Sequence, residues 1–294
     1  HAIYPFWNLK ESEQATVRFL PDGDKENTFF WKERLMIKLP FAGLKGDTDS
    51  RPVQVQVPCM EMYGESCPIL TEVRAWFKDP KLEDMGRKYW KKRSYIFQGF
   101  VKEDPLGEEE TPANPIRRFI IGPQIFQIIK GALMDPDMED LPTDSLNGVD
   151  FRIIKTSKGG YADYSTSTWS RKTRALTDEE NNAINQFGLF DLSEFLPKKP
   201  SDVDVKVMQE MFQASVDGEP YDQEKFGQYF RPAGLSSKTG DPVTPTAETP
   251  KPVAKPVATE APKVETKPAE KTASSETNNS AEDILAMIRA RQGK

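Results

Sequence analysis

Histidine is almost missing from this chain. Its 294 residues contain one, and that one is His1, so a Ser-His-Asp triad, a Cys-His dyad or any histidine general base has no partner inside the sequence. Cysteine is nearly as scarce. Cys59 and Cys67 are the only thiols, and a closed structural zinc site needs four nitrogen or sulfur ligands. A disulfide between them is not expected in a chain without a secretory signal. No run approaches the roughly 18 consecutive apolar residues of a membrane-spanning helix, and residues 1–10 lack a basic segment followed by an apolar one. A cytoplasmic location without membrane contact is therefore the expectation. A first residue other than Met suggests a processed or partial chain, with any N-terminal arm lying upstream.

An excess of positive charge is missing too. With 40 basic and 46 acidic side chains the formal charge is −6, which excludes a generally basic coat for nucleic acid but not a local basic groove. Aromatic residues stop at Phe230. Beyond it, residues 236–280 are built from Pro, Thr, Lys, Glu, Ala and Val, a composition that cannot anchor a core and that proline keeps out of helix and ladder. This reads as a disordered linker, whose ends would lie roughly 35–40 Å apart on a coil scale. Residues 238–294 hold nine cations against eight acids, so about −7 belongs to the residues before them. The last segment, 281–294, carries Ile284, Leu285 and Ile288 on one helical face after a Ser280–Asp283 cap. Two readings stay open for it: a tethered helix that folds into a partner's groove, or a frayed end.

What remains, residues 1–235, has the length of one large domain. Strand patterns run over 15–20, 28–39, 52–57, 93–101, 116–121 and 149–156, and helical patterns over 68–78, 123–133 and 202–214. Without regular strand-helix alternation, this predicts a mainly β chain with inserted helices, an α+β elaborated barrel rather than a doubly wound sheet.

Two stretches combine cations with rings. In residues 86–100, Arg87, Lys88, Lys91, Lys92 and Arg93 surround Tyr89, Trp90 and Tyr95. In residues 149–174, Arg152, Lys155, Lys158, Arg171, Lys172 and Arg174 alternate with Tyr161, Tyr164 and Trp169, and Gly159–Gly160 sits before the tyrosines. Cations neutralise phosphates, and an exposed ring offers an unstacked base a surface worth about 1–3 kcal/mol. A duplex hides those base faces. For such a stretch alone, core rings beside a solvated charged edge are the favoured explanation. Two such stretches, with acids gathered at 102–110, 135–140 and 177–180, point to a basic cleft on an acidic body.

These residues resemble, in order, the single-stranded DNA-binding (helix-destabilising) proteins of T-even-type bacteriophages. The resemblance covers most of residues 7–174 and is carried by ATVRFLPDGD at 15–24, YGESCPI at 63–69, KKRSY at 91–95, FIIGPQIFQII at 119–129 and GGYADY at 159–164. It implies an OB-fold core with a small helical and loop subdomain over 59–80, single-stranded DNA in a basic cleft, and work in replication, recombination and repair rather than catalysis. Tyr63, Tyr95, Phe119, Tyr161 and Tyr164 match aromatic positions of the family's cleft, and Lys91, Lys92, Arg93 and Ser94 match its internal Lys/Arg-Ser segment; Tyr89 is a looser match. The family's zinc pattern is a histidine and three cysteines, of which only Cys59 and Cys67 remain, with Leu70 at the last position. No zinc or other cofactor is therefore expected, and Ile69, Leu70, Val73, Trp76 and Phe77 would hold that subdomain by packing. Self-association on DNA through an upstream basic arm, and replication, recombination and repair partners recruited by the C-terminal tail, are further implications. An enzyme of another class, a nuclease using Asp135, Asp137, Glu139 and Asp140 with Mg²⁺, is the competing reading, and a hub acting through the tail is a third.

Overall fold

A computed structural model describes residues 2–108 and 111–233. The linker at 236–280 and the segment at 281–294 lie outside the described residues. The chain is α+β. Six strands follow one antiparallel path, β3(Val53–Pro58), β2(Lys32–Phe41), β4(Lys92–Glu103), β1(Gln14–Phe19), β6(Val149–Ile154) and β9(Thr168–Thr173), and β5(Arg117–Ile121) adds to the other edge of β4. A separate hairpin pairs β7(Thr156–Lys158) with β8(Tyr161–Asp163). The expected OB barrel is not closed: among the described residues no pairing joins β3 to β9 or β5 to either.

β4 organises the sheet by changing partners. Residues 92–96 pair with β2, 95–99 with β5 and 99–103 with β1. The changeover needs Gly99, where a Cβ would lie 2.2 Å from the Arg18 carbonyl oxygen. A larger residue forces the two backbones apart.

Two large cores lie along this strand, beside a smaller cluster of Leu20, Phe100, Ile116 and Ala183. The first packs Val17, Phe19, Phe97, Phe119 and Phe151 against α3(Pro123–Leu133). That helix starts on Pro123 and buries Ile125, Phe126, Ile129 and Leu133, the spacing of a single apolar stripe. The second core joins the far ends of β2 and β3 to α1(Pro68–Trp76), to Tyr89 of α2(Glu83–Tyr89) and to α5(Asp202–Val216). The subdomain expected at 59–80 is thus part of a larger unit closed by a helix from much later in the chain. Trp76 stacks on Phe212 of α5 at 5.7 Å and 22°. Phe77, expected inside, is exposed and meets Trp90 edge-on. Among the described residues no helix is long and apolar enough to cross a membrane.

Where the outer face of β1 and β6 meets α4(Asp178–Phe187), a buried ion network replaces apolar packing. Arg18, fully buried, donates to the Asp144 and Arg174 carbonyls at 2.7 and 3.0 Å, while Arg174 bridges Asp150 at 2.7 Å and Glu180 at 2.8 Å. Burial pushes the Glu180 pKa up, but hydrogen bonds from Arg174 and the Thr177 N–H, with the charges of Arg174 and Lys102, outweigh it and hold the carboxyl below its ordinary 4.5. A depressed carboxylate stabilises the fold above its unfolded value and loses that contribution as pH falls through the folded one. Stability should therefore drop on acidification below about pH 4.5, and Glu180→Gln should cost about 3–5 kcal/mol at pH 7 and flatten that drop in denaturant titrations. Gly99→Ala should cost at least about 1–3 kcal/mol by the same measurement.

Candidate nucleic-acid interface

The first cation-rich stretch is split by a helix boundary. Arg87, Lys88 and Tyr89 close α2, and Lys92 begins β4. Tyr89 was expected to stack on bases and is instead a core residue, 2 % exposed, edge-on to Trp76 and Phe212 and hydrogen-bonded to Ser215 at 2.9 Å. Tyr95 is likewise covered, its ring stacked on Phe126 at 3.4 Å, and Phe119 is fully buried between Tyr4 and Phe19. None of these three rings offers a free face to a base. Tyr95 and Phe119 point inward from β4 and β5, since a strand presents every second side chain to the same face, while Tyr89 is buried from the last turn of α2.

Several cations here already have acids. Arg87 pairs with Glu83, Lys91 with Glu61, and Arg93 with Glu33 at 2.7 Å. Lys88 is exposed beside the Tyr89 ring, and Lys92 donates to the Arg87 carbonyl at 2.9 Å with no acid in reach. Alternation sends Lys92 and Ser94 to one face of the sheet and Arg93 and Tyr95 to the other. Ser94 accepts from Arg34 Nε at 3.2 Å, which brings in a residue that sequence reasoning missed. Lys38, two positions along the same face, was missed as well. The signal was present in KERLMIKL, where Arg34 and Lys38 are spaced to share one face of a strand, but a strand assignment alone does not say which face is covered.

Tyr63 acts as a tether. Its hydroxyl donates to the Pro197 and Lys198 carbonyls at 2.6 and 3.0 Å, and burial pushes its pKa up to about 12.

The second stretch is more open. Gly159 and Gly160, with φ of 61° and 81°, turn the β7–β8 hairpin, a backbone that other residues resist. Lys158 and Tyr161 face each other across that turn, and Tyr161 is 79 % exposed. The hairpin base is fixed: Gln124, in the first turn of α3, donates to Asp163 and accepts from the Tyr164 N–H at 2.7 Å. Tyr164 is half-buried, edge-on to Phe6 at 5.6 Å, with its pKa raised to about 12 by burial. Arg171 and Lys172 are exposed on β9, and Arg152 on β6 pairs across to Thr168. Among the described residues Arg152, Lys158, Arg171 and Lys172 form no ion pair. Arg174, counted with this cationic run, is used up by Asp150 and Glu180.

Arg152 stands apart from the first stretch. Arg152 lies in register with Thr16 and through it with Glu103, the far end of β4 from Lys92. At 135–140 the Asp137 N–H donates to Asp135, and the one group of three carboxylates close enough to share a cation among the described residues is Asp22, Asp24 and Asp191. Lys32 pairs with two of the three, at 3.3 Å from Asp24 and 4.0 Å from Asp22, and the Asp22 carboxylate accepts from the Leu192 and Asp24 N–H groups.

Cys59 and Cys67 are free, buried thiols in the second core. With Leu70 buried beside them and no histidine in the chain after residue 1, the donors do not fit a closed zinc site. No protein-family model and no curated protein matches the chain. The placement of the rings sets an expectation: Tyr161→Ala should leave thermal stability unchanged, whereas Tyr95→Ala should lower it by about 3–5 kcal/mol, the cost of truncating a large core aromatic.

Proposed function

We propose that this chain binds single-stranded DNA without sequence preference and carries out no chemistry on it. The observation that carries the reading is Tyr161, 79 % exposed on a two-glycine hairpin opposite Lys158, in a stretch whose Arg171 and Lys172 on β9 are exposed and form no ion pair among the described residues. An exposed ring costs solvation of apolar surface unless something covers it, and an unstacked base is a flat partner of matching size. The neighbouring cations supply phosphate neutralisation, which makes affinity salt-dependent and indifferent to sequence. Tyr164, packed edge-on to Phe6, does not itself offer a ring face as open as that of Tyr161.

An OB-type core is the finer fold reading, supported by the way β4 leaves β2 and joins β1 at Gly99, since one bent strand serving two partners is how small barrels turn their corners. The resemblance across residues 7–174 extends the reading to replication, recombination and repair in an infected host cell, with protein partners taken by the C-terminal tail and self-association by an upstream arm. Zinc plays no part in it, because the donor set is incomplete.

Titration with an oligothymidine should quench tryptophan or tyrosine fluorescence, with affinity falling as salt rises. Tyr161→Ala should weaken binding by about 1–3 kcal/mol. Equal affinity for duplex and single strand would contradict the reading, as would sustained cleavage of labelled strand in Mg²⁺. Metal analysis of the purified protein should find no stoichiometric zinc; one zinc per chain would overturn that part.

A further inference from the structure

On the outer face of β2 and β4, three cations share one patch with no acid among them. Arg34 is 8 % exposed, and its one hydrogen-bonding partner among the described residues is the neutral Ser94 hydroxyl. Lys38 follows four residues later on the same face and makes no hydrogen bond or ion pair among the described residues. Lys92 lies opposite Met36, between them. Gln56, paired with Lys38 on β3 and half-buried, has no side-chain partner among the described residues. Burial lowers the Arg34 pKa, and burial followed by the charges of Lys92 and Arg34 lowers that of Lys38. The fold thus holds cations where desolvation and mutual repulsion both oppose them. Elsewhere buried arginines are matched: Arg18 by Asp150, Arg117 by Glu108 at 2.6 Å.

We infer that Arg34, Lys38 and Lys92 form an anion site that takes a phosphodiester of the bound strand, with Arg34 as the fixed fork and Ser94 holding it in place. This rests on the single-strand reading above and adds to it a second contact point, on the face of β2 and β4 that carries Lys92 and Ser94. A guanidinium suits a phosphate because its planar donors meet two oxygens at once, and a buried one is oriented before the ligand arrives. The two lysines add charge, not direction.

The test uses the full chain and the variants Lys38→Gln, Lys92→Gln and Arg34→Lys, with Tyr161→Ala as a comparison. Lys38 is the cleanest site, since nothing in the fold depends on its ammonium. Oligothymidine affinity should fall about five- to tenfold in Lys38→Gln, and the log-log salt slope should lessen by about 0.7, the share of one phosphate on a single strand. Arg34→Lys keeps the charge but loses the fork, and should weaken binding with little change in slope. Inorganic phosphate, compared with chloride at equal ionic strength, should raise the melting temperature of the wild type and not of Lys38→Gln. Wild-type-like oligothymidine affinity and slope in Lys38→Gln and Lys92→Gln, while Tyr161→Ala binds more weakly, would overturn the site and leave the single-strand reading standing. Protection by phosphate without any change in oligothymidine affinity would make it a free-phosphate site and overturn the phosphodiester assignment. Failure of the wild type to bind oligothymidine would instead refute the reading on which the inference rests.

Discussion

The close approach of β4 to β1 at Gly99 is the constraint on which the rest depends. It lets one twelve-residue strand run past β2, β5 and β1 in turn, and so gives the chain two large cores from a single sheet. One core is aromatic and lies under α3; the other is closed by α5, which returns from the end of the described chain. Because side chains alternate along β4, the same strand buries Tyr95 and Phe97 while turning Lys92 and Ser94 outward. The Lys92 and Ser94 surface is the by-product of that alternation; the Tyr161 hairpin is held separately, by Gln124 of α3.

The electrostatics follow from where partners are provided. Cations that brace the fold are paired: Arg18 and Arg174 with Asp150 and Glu180, Lys91 and Arg74 with Glu61, Arg93 with Glu33. Cations without an ion pair among the described residues include Lys158 on the hairpin, Arg171 and Lys172 on β9, and Arg34 and Lys38 on the outer face of β2. A surplus of acid elsewhere gives the chain its net −6, and it discourages indiscriminate coating of duplex while leaving these two places electrostatically open.

Much of the fold was legible. Six of the strands and the helices at 68, 123 and 202 follow from periodicity and from proline or serine at their starts, and the structure moves their limits by a few residues. The helix ending at Tyr89 was not legible, because GRKYWKKRSY reads as one alternating run and only the loss of strand register at Trp90 divides it. α4 was missed although Thr177 and Glu180 form a capping box; its acids looked like surface charge. For the site, residue type was a better guide than exposure. Cation positions are visible in the sequence, but whether an acid sits across the strand depends on register, and register is what separated Arg93 from Arg34. The rings failed for a related reason: Tyr89, Tyr95 and Phe119 bury as readily as they stack, and only the paired glycines before Tyr161 marked a ring held away from the core.

Photo-crosslinking of a uniformly labelled oligothymidine to the intact chain, with the adducts mapped by mass spectrometry, bears most directly on the claim that an exposed tyrosine and acid-free cations bind a single strand. The account predicts adducts on the hairpin peptide that carries Tyr161 and none on Tyr95 or Phe119, with no adducts when a duplex replaces the single strand. Adducts that avoid the hairpin, or equal capture of duplex, would contradict it.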